Sequence, residues 1–377
     1  MRLNTDYSDI KRQMIELVDS LRRTTNKEDF YRKYTTFYAL KYVYSLKKRH
    51  HITLSSELEE FGTMCYDEAS NASIESFCAN RLYHRDVLTR NFYDTSEMMV
   101  DIVTSEYFRK LQKSSFPRIK DEERREILDE FFKENFPEGR SILEDVCWKR
   151  HLYSFSAVSL MNTDAFLIFN NSDFDSNIFL HKMPRTVSTI AALVHELGHA
   201  YDYSEGISKN NSIVSDVFTE TLSCYYNQLF LEYLLKNGIR EREVTFSFIE
   251  FFSSFFAYFD SGILLTLLSD EEYRKVFDGT IMRKSIVKSL KEKKLIEEGK
   301  FSFAAPSTIL DGKDENRYSY GILIANMIIN GEIAFDDFMS IRDKSFSSER
   351  LESIGFSAEK AKKSLVKTMT RTMIKKI

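Results

Sequence analysis

His195-Glu196-Leu197-Gly198-His199 sets two imidazoles four residues apart with a carboxylate beside the first. On an α-helix this spacing places both imidazoles on one face, one turn apart, where they can share a metal ion. Glu196 then stands about 100° round the axis and can reach a water activated by that ion. A zinc that does chemistry needs a third protein ligand and one open position. The chain has 7 histidines and 57 acids, so chance supplies such a pentapeptide at about 0.02 per random chain of this composition, a weak rival to a metal site. The third ligand is expected at Glu220. It lies 21 residues beyond His199, and its neighbours Phe218, Thr219, Thr221 and Leu222 are apolar or small instead of the Lys/Arg mixture of an exposed helical face. Asp216 and Asp202 could orient a ligand histidine, against the simpler reading of acids that suit a helix end. His50, His51, His84, His151 and His181 have no ligand spacing and read as surface or packing residues.

Helices must position these groups, and the composition favours helices. With 12 Gly and 4 Pro in 377 residues the chain is poor in turn formers, which disfavours an all-β sandwich or barrel and points to a mostly α fold. Apolar residues at 3–4 spacing predict helices over 7–23, 28–48, 54–65, 74–89, 97–112, 121–135 and 141–160. Pro117, in Ser-Ser-Phe-Pro, suggests a boundary between an amino-terminal helical region, 1–116, and a region 117–377. Apolar runs at 165–169 and 178–180 around Asn170-Asn171-Ser172-Asp173 predict a β-hairpin, whose first strand could serve the core or offer its edge to an extended peptide. The histidine-bearing helix is expected from Pro184 to about Tyr203. A polar break at 204–212 then leads into a helix over 213–236 that carries Glu220 and ends at Asn237-Gly238. The apolar stretch 246–268 contains Glu250 and Asp260. An acid costs roughly 2.5–3.5 kcal/mol at a bilayer centre, so this stretch is expected to be a buried helix of a soluble protein. A basic helix over 283–298, a helix over 318–330 and two short helices complete the prediction.

With 53 Lys and Arg against 57 Asp and Glu the net charge is −4, which gives no basic field for nucleic acid. No membrane partner is expected. Cys65, Cys78, Cys147 and Cys224 form no CxxC pair, and the opening MRLNTDYSDIKRQ has no apolar stretch of signal length, so a cytoplasmic location is expected.

Three pieces together carry a resemblance: His195 to His199, Phe218-Thr219-Glu220-Thr221-Leu222-Ser223, and Tyr318-Ser319-Tyr320-Gly321. Over about residues 166–330 the chain resembles the thimet oligopeptidase and oligoendopeptidase F group of gluzincin zinc metallopeptidases. The resemblance implies a mostly helical zincin-type fold with a small sheet beside the HExxH helix, and one zinc per chain on His195, His199 and Glu220. It also implies Glu196 as general base, Tyr318 and Tyr320 as equally ranked oxyanion donors, and oligopeptide substrates cleaved in a deep channel. Gly198 is a typical choice of that group. Two departures stand out. Members usually carry a histidine shortly before the carboxyl-terminal tyrosines, whereas none occurs here after His199, which leaves the oxyanion to tyrosine with Arg317 as helper. The chain is also shorter than usual members. The same motif could serve a non-catalytic peptide-binding protein that keeps the fold, or a zinc hydrolase of a non-peptide amide; an intact Glu196 speaks against the former.

Overall fold

The computed structural model describes residues 4–46, 52–148, 151–154, 165–170, 175–181, 183–204, 216–277, 283–293, 314–344 and 346–373. The chain is mostly helical with one small sheet. In chain order the first helices are α1 (Ser8–Leu21), α2 (Lys27–Ser45), α3 (Ser56–Thr104), α4 (Glu106–Gln112), α5 (Asp121–Asn135) and α6 (Arg140–Leu143). Strands β1 (Leu152–Ser154), β2 (Ala165–Asn170) and β3 (Asp175–Leu180) precede α7 (Val187–Asp202). There follow α8 (Thr221–Lys236), α9 (Glu241–Thr266), α10 (Asp270–Phe277), α11 (Arg283–Glu292), α12 (Asp314–Ile329), α13 (Phe335–Met339), α14 (Ser348–Ser353) and α15 (Ala358–Thr372).

The expected elements need several corrections: α10 was not anticipated, and the two short helices expected at the end are three, α13, α14 and the 15-residue α15. The helices anticipated at 54–65, 74–89 and 97–112 are one 49-residue helix, α3, followed by α4. No proline interrupts it; the break comes at Ser105, whose hydroxyl accepts from the Phe108 N–H and caps α4. The helix expected over 141–160 stops early, in a π turn over Glu144–Trp148, and the chain then enters β1. Pro184 lies before α7 rather than in its first turn, and Thr186 is the cap. The helix expected from 213 begins as a 3-10 turn, Asp216–Phe218, and α8 starts only at Thr221. The hairpin pairing is as anticipated, β2 antiparallel to β3. Its turn residues 171–173, together with 205–212, 294–298, His50 and His51, fall outside the described residues.

The chain divides into two compact units, each made of two separated stretches. The first comprises Met1–Ser70 and Phe116–Ile213. Its sheet has the order β1-β3-β2, and the register aligns Tyr153, Phe179 and Phe166 in one row. Their rings stack at 5.2 and 4.9 Å; Tyr153 and Phe179 belong to the core cluster that contains Tyr7, Ile10, Met14 and Leu17 of the α1 region, and half-buried Phe166 packs against it. Asn177, buried on β3, exchanges two amide hydrogen bonds with buried Gln13 at 3.1 and 2.9 Å, which ties α1 to the sheet without leaving a polar group unpaired. The alternate positions Leu152, Ile178 and Leu180 are buried as well, and α7 packs against β2 and β3.

The second unit comprises Asn71–Ser115 and Val214–Ile377. At its centre α12 buries Ile322, Leu323, Ile324, Ala325 and Met327 completely, the mark of an interior helix, and it packs against α8, α9 and α15. By length and apolarity α9 could cross a membrane, yet 67% of its most apolar window is buried within the protein. Phe248, Phe252, Phe256 and Phe259 have no exposure and make it a core helix of this unit.

Candidate metal centre

Cores on both sides of the sequence motif fix α7. Val187, Ile190, Ala191, Leu193, Val194, Leu197 and Ala200 are buried and leave His195 and His199 half-buried on the opposite face. The approach to the helix is anchored. Arg124, 1% exposed, donates to the Pro184 carbonyl at 2.8 Å and pairs with Asp121 at 3.0 Å, while the Ile119 N–H donates to the Arg185 carbonyl. At the start of α7, Thr186 and Thr189 cap each other. Near its end, Tyr201 meets Phe136 edge-on at 5.0 Å. The His195 and His199 rings stand 4.9 Å apart, nearly perpendicular. Glu196 is buried beside them, as is Asp202.

Glu220 occupies the N-cap position of α8 instead of a mid-helix site. Its backbone is already helical there, and its side chain accepts no hydrogen bond from the first turn of α8. Its side chain is 4% exposed. The Ser223 hydroxyl lies 2.9 Å from the Glu220 carbonyl and 3.3 Å from Oε2, and Arg317 Nε lies 3.5 Å from Oε1. Gly321 of α12 passes directly over this residue: a Cβ there would stand 2.8 Å from Glu220 Cβ and 3.0 Å from its backbone carbon and oxygen. Glycine is therefore the residue that lets α12 come this close.

Of the three expected metal ligands, His195 and His199 lie one turn apart on α7 in the first unit, and Glu220 stands at the start of α8 in the second. Around a tetrahedral zinc with bonds of about 2.0–2.1 Å, ligand atoms stand about 3.4 Å apart. Two imidazoles and one carboxylate form the donor set of a catalytic zinc with a position left open, so the residues fit the ion.

The two candidate oxyanion donors differ sharply. Tyr318 is half-buried, with its ring stacked on Tyr258 at 4.3 Å and the Arg317 guanidinium 5.4 Å from its centroid. Tyr320 has no exposure. Its hydroxyl shares a 3.0 Å hydrogen bond with His84 Nδ1, and its ring packs against Phe346 and Phe356. Burial pushes the Tyr320 phenol well above its usual range and holds His84 down to about 3. His84 is thus a packing residue, in keeping with its lack of ligand spacing. The backbone of Asp216 lies in the 3-10 turn, and its side chain is outside the described residues. Sequence reasoning missed the Arg317–Glu220 pair and the crossing at Gly321; the Tyr-Gly step at 320–321, a glycine inside an apolar helix, was the available signal.

No family model, no curated protein and no solved structure matches this chain.

Proposed function

We propose that this protein is a zinc-dependent metallopeptidase that hydrolyses peptide bonds of oligopeptides, with a zincin-type arrangement around α7. The observation that carries the reading is the pair of imidazoles, His195 and His199, one turn apart on α7 with buried Glu196 on the same helix. The resemblance to the thimet oligopeptidase and oligoendopeptidase F group supports the peptide substrate.

His195, His199 and Glu220 would hold the ion. When bound, zinc supplies Lewis acidity, polarising a carbonyl and lowering the pKa of a water toward ~7. Glu196, adjacent to a ligand and not one itself, takes a proton from the attacking water and passes it to the leaving amine nitrogen. Burial of Glu196 keeps its carboxylate in a fixed place for both transfers. Tyr318 is the candidate hydrogen-bond donor to the developing oxyanion, because the Tyr320 hydroxyl is committed to His84 inside the core. The four cysteines are free thiols, which suits a cytoplasmic location.

The test is direct. Purified protein is expected to hold about one zinc per chain, and Glu196→Gln to keep zinc and fold while cleavage of unstructured peptides falls by at least about 10²-fold, the scale of lost general base catalysis. Cleavage near the wild-type rate in Glu196→Gln overturns the mechanism, and absence of zinc from wild type overturns the site.

A further inference from the structure

Hydrolysis as proposed uses Glu220 as a ligand and leaves unexplained the cation placed against it. The Arg317–Glu220 contact is 3.5 Å, between a carboxylate 4% exposed and a guanidinium side chain 29% exposed, so solvent screens the pair only in part. The guanidinium lies over the Tyr318 ring, and that ring is stacked in turn on Tyr258. The cation therefore rests on a built aromatic step. Both partners sit where α12 is pressed closest to the start of α8, at Gly321. A carboxylate that also serves a metal ion has to share its negative charge between that ion and the guanidinium, and two positive charges on one carboxylate repel each other.

We propose that Arg317 sets the strength with which this site holds its metal, weakening it by a fixed positive charge on the ligand carboxylate, so that occupancy follows the supply of the ion. This rests on the zinc reading of His195, His199 and Glu220. Arg317 is a positioning residue here: it acts through Glu220.

The experiment is a zinc affinity measurement on the full chain by competition with a chromophoric chelator, for wild type, Arg317→Met and Arg317→Lys, with thermal unfolding followed for each. Arg317→Met is expected to bind zinc at least about tenfold more tightly, equivalent to about 1.4 kcal/mol. Arg317→Lys, which keeps the charge and loses the planar fork, is expected to stay within about threefold of wild type. If Arg317→Met does not fold, Arg317→Gln removes the same charge while retaining an amide donor to Glu220, and the same tightening is expected. Unchanged or weaker affinity in the neutral variants overturns the inference and leaves the zinc site standing. Failure of wild type itself to bind zinc overturns the site reading and the inference together.

Discussion

The helix α7 and the start of α8 position the proposed ligands by opposite means. In α7 one regular helix supplies both imidazoles, and their relation follows from the 3.6-residue period alone. Glu220 instead sits at a boundary, between a 3-10 turn and the first residue of α8. Its place depends on Ser223 three residues on and on Gly321 and Arg317, about a hundred residues away in sequence. A ligand placed by local periodicity tolerates change elsewhere in the chain. A ligand placed by a close approach depends on a side chain that is missing from the opposing helix.

Removing an α7 ligand gives the largest expected effect. His195→Ala or His199→Ala should bring zinc from about one per chain to background, because the donor is lost outright, while the fold remains, since both side chains are only half-buried. Metal analysis checks this, and equal zinc in wild type and both variants would break the assignment. A subtler change separates the two modes of placement. Gly321→Ala adds only a methyl group and touches no ligand atom, yet that methyl would lie 2.8 Å from Glu220 Cβ against unyielding backbone. Overpacking of this kind costs about 1–3 kcal/mol, against a gain of about 1 kcal/mol from replacing glycine inside a helix. The expected outcome is a net loss of stability in urea unfolding together with weaker zinc binding. A variant that gains stability and holds zinc normally would show that Glu220 does not depend on the crossing.

The sequence's legibility divides along the same line. The placement of His195, Glu196 and His199 on one helix, the α7 boundaries to within a turn, and the β2–β3 pairing were all readable, because each follows from a short-range pattern. The continuity of α3 through Asn71-Ala72-Ser73 was not: polar residues there mimic a break, although no proline stands among them and no side chain caps a new helix as Ser105 does further on. β1 was hidden inside a helix-like pattern because it is three residues long and gains its partners from β3, with which it runs in parallel. That Glu220 would stand just before α8 instead of lying along it could not be read either, as nothing local distinguishes the first turn of a helix from a 3-10 lead-in. The division between Tyr318 and Tyr320 depends on His84, 236 residues distant in the chain from Tyr320, and no local spacing reports such a pairing.

That last pair yields the smallest and most selective expected effect. Tyr320→Phe removes a single hydroxyl whose partner, His84 Nδ1, is fully buried, and the ring keeps its contacts with Phe346 and Phe356. Leaving that buried nitrogen without its partner costs about 1–3 kcal/mol, read as a lower urea midpoint with an unchanged slope. Burial holds His84 near 3 when folded, against 6.5 as its ordinary value, so the unfolded chain binds the extra proton first. The contribution of neutral His84 is therefore complete above about pH 6.5 and is lost progressively as pH falls toward 3. The Tyr320→Phe penalty should accordingly be measured at pH 7–8, where His84 is neutral in both states. Peptide cleavage should be unaffected at that pH, whereas Tyr318→Phe should lower kcat with little change in KM, since an oxyanion donor acts in the transition state. A Tyr320→Phe variant that loses as much kcat as Tyr318→Phe would show that the buried hydroxyl leaves His84 during turnover, and would return the two tyrosines to equal standing.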